Sequence, residues 1–117
     1  MRYIVDDVGA AVGFYVDRLG FQEKERYGPA MAIVERDGLR RWLAGPAASA
    51  SRPMPDGRLP ASGGWNRLVV EVDNLDELVD RLRAAGVTFR TDPISGPGGR
   101  QVLIEDPSGN PVELFQP

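Results

Sequence analysis

The segment RLVVEVDNLDELVDRLRAAGV, residues 67–87, changes period in its middle. Its first part, RLVVEV at 67–72, is β-branched and short, and predicts a strand. Asp73 or Asn74 then offers a side-chain oxygen to the free N–H groups of a helix start. Leu75, Leu78, Val79 and Leu82 recur at helical spacing and predict one apolar face over 75–85, and Gly86 ends it. Strands are expected afterwards at 87–91 (VTFRT), 100–105 (RQVLIE) and 112–115 (VELF). The turn Pro107-Ser108-Gly109-Asn110 joins the last two.

The same order is present once before. Residues 2–5 (RYIV) predict a strand, Asp6 or Asp7 a cap, and Val8, Val12, Tyr15 and Leu19 a helix that stops at Gly20. Strands are expected at 21–26, 31–36 and 39–43, with Asp37-Gly38 as a hairpin signal between the last two. Val5-Asp6-Asp7-Val8 aligns with Val72-Asp73-Asn74-Leu75 at an offset of 67 residues, and Val12 and Tyr15 fall on Val79 and Leu82 at the same offset. Gly20 falls on Gly86 at an offset of 66, one deletion later. The chain therefore reads as a duplicated strand–helix–three-strand unit, which cannot bury both faces of its sheet alone. Residues 44–64, rich in Ala, Ser, Pro and Gly, read as a linker, either a mobile connector or a functional loop.

Composition narrows the chemistry. The 117 residues suit one domain, with 42% apolar and 26% charged content. No apolar run approaches the roughly 20 residues of a membrane span, and the N-terminus lacks a signal-peptide pattern, so a cytoplasmic protein is expected. A net charge of −3 argues against nucleic acid as a partner. There is no cysteine and no histidine. Thiolate sites and histidine triads are thereby excluded, and any metal site would have to be built from carboxylates.

The pieces YIVDDVGAAVGFYVDRLGF, VVEVDNLDELVDRLRAAGVTF and GGRQVLIEDPSGNPVELFQP resemble the vicinal-oxygen-chelate superfamily, which holds glyoxalase I, the bleomycin-resistance proteins and the extradiol dioxygenases. The resemblance spans nearly the whole chain apart from 44–64, and EDPSGNPVELFQP is its most specific part. It implies an α+β fold of two βαβββ units, 1–43 and 65–117, with mixed sheets curled around a cavity and helices on the outer faces. It also implies a homodimer.

In catalytic members a divalent metal is held from the first and last strands of each unit. The first-strand ligand, usually histidine, corresponds to Arg67 in the second unit, and in the first unit to a position before Met1. The last-strand ligand, typically glutamate, corresponds to Glu113 and, in the first unit, to Trp42. Arginine is permanently cationic and cannot take a metal. The expectation is therefore no metal, no cofactor and no classical glyoxalase or dioxygenase activity.

Strand alternation then places Val112 and Leu114 toward the helices and Glu113 toward the cavity, beside Arg67. The pair either closes a polar gap between strands or also receives an acidic or carbonyl group of a ligand. Trp42 is either core or a stacking platform. Trp65 is a rim residue or an anchor, and Arg100, in the Gly-rich stretch 95–101, is a possible polar contact at the cavity mouth. Arg41 falls on the helix side and is expected to snorkel to an edge. The reading that results is a protein that binds a small aromatic or drug-like molecule. The alternative is a lyase or dioxygenase-type enzyme of the superfamily, either metal-free with Glu113 as general base or holding a metal through atypical ligands. At Glu113 the opposed effects of burial and Arg67 argue for binding over catalysis.

Overall fold

Each half of the repeat folds as one strand, one helix and three more strands. In the first, β1 (Arg2–Ile4) leads through α1 (Val8–Gly13) to β2 (Gln22–Tyr27), β3 (Met31–Arg36) and β4 (Leu39–Ala44). In the second, β5 (Leu68–Glu71) leads through α2 (Leu75–Ala84) to β6 (Ile94–Gly96), β7 (Gly99–Glu105) and β8 (Pro111–Gln116). The computed structural model describes all 117 residues, as two compact units, Met1–Gly63 and Gly64–Pro117. Each unit has a four-stranded mixed sheet, ordered β1-β4-β3-β2 in one and β5-β8-β7-β6 in the other, and neither sheet closes on itself. β1 runs parallel to β4 and β5 parallel to β8, and the remaining pairs are antiparallel. The fold is the expected α+β pair of βαβββ units. No helix is long and apolar enough to cross a membrane.

The caps resolve the ambiguity in the sequence. Asp7 accepts from Ala10 N at 2.9 Å, and Asn74 accepts from Glu77 N at 3.1 Å. Gly20 and Gly86, with φ of 74° and 79°, end the two helical stretches in the left-handed conformation that glycine tolerates. The first helical stretch is not α throughout. After Gly13 it widens into a π-helical stretch, Phe14–Arg18. Two adjacent aromatic residues, Phe14 and Tyr15, are both buried there. Tyr15 stands edge-on to Phe14 and to Phe21, with ring centroids 5.1 and 5.5 Å apart. A wider turn brings neighbouring side chains closer in azimuth, which lets both rings enter one core.

One face of each sheet carries its helix. In the second unit Leu68, Val70, Val102, Ile104, Val112 and Leu114 are buried there, together with Leu75, Leu78, Val79 and Leu82 of α2. In the first, Tyr3, Ala32, Val34 and Leu43 are buried with Val8, Ala11 and Val12 of α1. Burial of each such Leu or Val side chain contributes about 1.5–3 kcal/mol, which makes these faces the main source of stability.

Two expectations change. Residues 87–91 are not a strand: Phe89 forms only an isolated bridge to Ile104. Thr91 Oγ1 accepts from Leu103 N at 3.0 Å, so a side chain takes the donor that a ladder would need. The strand comes later, at β6, in a hairpin with β7. The stretch 44–64 also has structure of its own within the first unit. Ala44 completes β4, Gly45 N donates to Ala30 O at 2.8 Å, and Ser51 Oγ donates to Gly45 O at 2.7 Å beside a single 3-10 turn, Ser49–Ser51.

Candidate functional site

The turn before β8 is a closed hydrogen-bonded unit. Asp106 Oδ1 accepts from Ser108 N and Asn110 N, both at 2.9 Å, and Oδ2 accepts from Asn110 Nδ2 at 3.0 Å. Asp106 and Asn110 are only 4% and 3% exposed, so these bonds are sheltered from water. The turn therefore fixes where β8 begins and in which register. Glu113 then stands opposite Val69 of β5 and Leu103 of β7, on the face away from α2.

Arg67 precedes β5 and reaches the same point. Its Nε and Nη2 donate to one oxygen of Glu113, Oε1, at 3.1 and 3.0 Å. The side chains are 32% and 12% exposed. A carboxylate this sheltered is costly without a partner, and the guanidinium offsets that cost through charge-assisted hydrogen bonds. No hydrogen bond within the chain reaches the other oxygen, Oε2. Val69 and Phe115 share the face, which gives a polar pair set among apolar side chains.

The other expected site residues lie on other elements, Trp42 in the first unit and Trp65 and Arg100 in the second. Trp42 lies on the helix-free face of the first sheet, in register with Arg2 and Ile33, and is partly exposed. The Arg2 guanidinium sits 4.7 Å from the centroid of its ring, a cation–π contact. Trp65 is 71% exposed and stacks on Arg90 at 4.7 Å. Arg100 shares the helix-side face of β7 with Val102 and Ile104 and pairs with Asp76 of α2 at 2.8 Å. Alternation explains this, since Arg100 and Val102 have the same parity. Arg41 also lies on the helix side, in register with Val34. Its Nη1 donates to Arg40 O at 2.8 Å, while its Nε is buried without a partner.

Sequence reasoning missed Arg90. Its Nε donates to Glu105 at 2.6 Å, Nη1 to Gly64 O at 2.7 Å and Nη2 to Gly109 O at 2.9 Å. It thus links the Asp106 turn to the segment that carries Trp65. The run VTFRT hid it, because a strand reading gives Arg90 an ordinary alternating position.

The donor set does not suit a divalent metal. At the three positions within the chain to which the resemblance assigns metal ligands stand, in the second unit, a guanidinium without a usable lone pair and a carboxylate already engaged by it, and, in the first, an indole that can only donate. In neither unit do three or more His, Cys, Asp or Glu side chains gather into a group that could hold an ion.

With this geometry in place, the relatives are informative. The sequence model of the Glyoxalase/Bleomycin resistance protein/Dioxygenase superfamily matches residues 1–114, and the chain belongs to that superfamily. It is 25% identical over 119 aligned residues to a bleomycin resistance protein of Geobacillus stearothermophilus, with 96% of this chain and 90% of that one covered. Among solved structures it is similar to TnmS3, an antibiotic binding protein from Streptomyces sp. CB03234, with a TM-score of 0.75 and 28% identity over 100% of this chain and 92% of that one. A superfamily member from Sphaerobacter thermophilus DSM 20745 superposes with a TM-score of 0.75 and 29% identity, covering 100% and 94% of the two chains.

Proposed function

We propose that the protein binds a small aromatic or drug-like molecule without a metal, on the helix-free faces of its sheets. The observation that carries this reading is the Arg67–Glu113 pair. Where catalytic relatives place metal ligands, this chain has a guanidinium bonded to the carboxylate. The pair supplies polar anchoring among Val69, Leu103 and Phe115, and Trp42 supplies an aromatic surface of its own in the first unit. Relatives named for bleomycin resistance and for antibiotic binding support the ligand class.

An enzymatic reading has less support. A general base must reach a substrate proton with a free lone pair, and Oε1 of Glu113 already accepts two N–H bonds from Arg67. We also propose a homodimer burying at least about 1,000 Å² in total, the size a specific interface needs. Sedimentation at micromolar concentration tests it, and a monomer contradicts it.

The functional reading is tested by thermal-shift screening against bleomycin and a panel of aromatic antibiotics and metabolites, with and without chelator. Stabilisation by at least one compound in the presence of chelator is expected. No stabilisation by any compound, or stabilisation only after metal is added, contradicts it.

A further inference from the structure

The hydrogen-bonding capacity left over at Arg67 and Glu113 narrows the ligand class, an inference that rests on the binding function proposed above. A guanidinium has five N–H donors, and Arg67 uses one on Nε and one on Nη2, so three remain. Glu113 uses Oε1 for both bonds and keeps Oε2 free. The pair is neutral in sum, and it presents unused donors beside an unused acceptor. Val69 and Leu103 flank it in register, and Phe115 follows on the same face.

We propose that this pair selects a neutral ligand group carrying an acceptor next to a donor, a carboxamide or lactam attached to an apolar ring system. Its carbonyl accepts from Arg67 and its N–H donates to Glu113 Oε2. A carboxylate satisfies the Arg67 donors but brings a second negative charge beside Glu113. An ammonium satisfies Oε2 but faces the Arg67 cation. An ester accepts and cannot donate. In each case one group of the pair is left facing a ligand it cannot bond, and such a mismatch is penalised more than a missing contact.

Titration of the full chain with four matched probes tests this: 2-naphthamide, 2-naphthoate, methyl 2-naphthoate and 2-naphthylmethylammonium. The amide is expected to bind roughly tenfold or more tightly than each of the others, the effect of about one unshared hydrogen bond. Glu113→Gln removes the negative charge at nearly constant shape, and should reverse the order by favouring 2-naphthoate over 2-naphthamide. The wild-type comparison stands even if that variant does not fold. Equal affinities, a wild-type preference for 2-naphthoate, or an unchanged order in a folded Glu113→Gln protein overturns the proposal. Binding of bleomycin or another panel compound with no binding of the four probes overturns it while leaving metal-free binding intact. Failure of every compound overturns both.

Discussion

Arg67 and Glu113 are 46 residues apart in the chain and meet through two hydrogen bonds to a single carboxylate oxygen. The contact depends on two separate pieces of local structure. One is the Asp106 turn, which sets the register of β8. The other is the parallel pairing of β5 with β8, which sets Val69 opposite Glu113.

The first prediction concerns the energy of that contact. Arg67→Ala leaves a sheltered carboxylate unpaired, and Glu113→Ala leaves a guanidinium unpaired. For a fully buried pair such truncations cost roughly 3–5 kcal/mol, and for exposed pairs under about 1. With Arg67 about one-third exposed, each single variant should lose about 1–2 kcal/mol, and the double variant should recover part of the loss. A double-mutant cycle by urea denaturation measures this, and additive effects would show that the two side chains do not interact.

The turn should cost more than the ion pair when it is cut. Asp106→Ala strands the N–H groups of Ser108 and Asn110 and the Asn110 amide, all of which now bond its carboxylate. A loss of about 3 kcal/mol is expected in urea melts, since each buried donor left unsatisfied costs roughly 1–3 kcal/mol before relaxation. Asp106→Asn keeps an acceptor and should lose about 1 kcal/mol. A negligible effect of the alanine change would show that β8 finds its register without the turn.

Gly99 tests the β6–β7 hairpin. Its φ is 146°, and a Cβ there would lie 2.1 Å from Gln116 O, a backbone atom of β8. Backbone cannot move aside as a side-chain end can. Gly99→Ala should therefore destabilise by about 2–3 kcal/mol, as overpacking and backbone strain combine. Gly98→Ala, whose nearest neighbour would be the Phe115 ring at 3.6 Å, should be tolerated. Equal melting temperatures for the two variants would contradict this geometry.

Metal content is a further expected outcome. Purified protein should carry no stoichiometric zinc, nickel, iron or manganese by elemental analysis, and chelator should leave its Tm unchanged. About one equivalent of any of these per chain would contradict the donor-set argument.

Much of this was legible in the residues, for reasons that are local. α2 follows from Leu75, Leu78, Val79 and Leu82, all of them buried, because helical period and burial coincide there. The meeting of Arg67 and Glu113 follows from strand parity once the repeat is recognised. Other features depend on contacts that no local pattern carries. The missing strand at 87–91 reflects the Thr91 hydroxyl taking the Leu103 N–H, a choice made by residues 12 apart. Arg90 draws its partners from Gly64, Glu105 and Gly109, two of them backbone carbonyls with no side-chain signature. The π-helical stretch at Phe14–Arg18 keeps the apolar spacing of an α-helix and is therefore invisible to periodicity.

The most direct test of metal-independent binding through Arg67 is calorimetric titration of chelator-treated protein with the tightest compound from the screen, in wild type and in Arg67→Ala. The wild type should keep its affinity in chelator, and Arg67→Ala should weaken it about tenfold or more, the equivalent of one charge-assisted hydrogen bond. Affinity that returns only with added metal, or that is unchanged in a folded Arg67→Ala protein, would contradict the account.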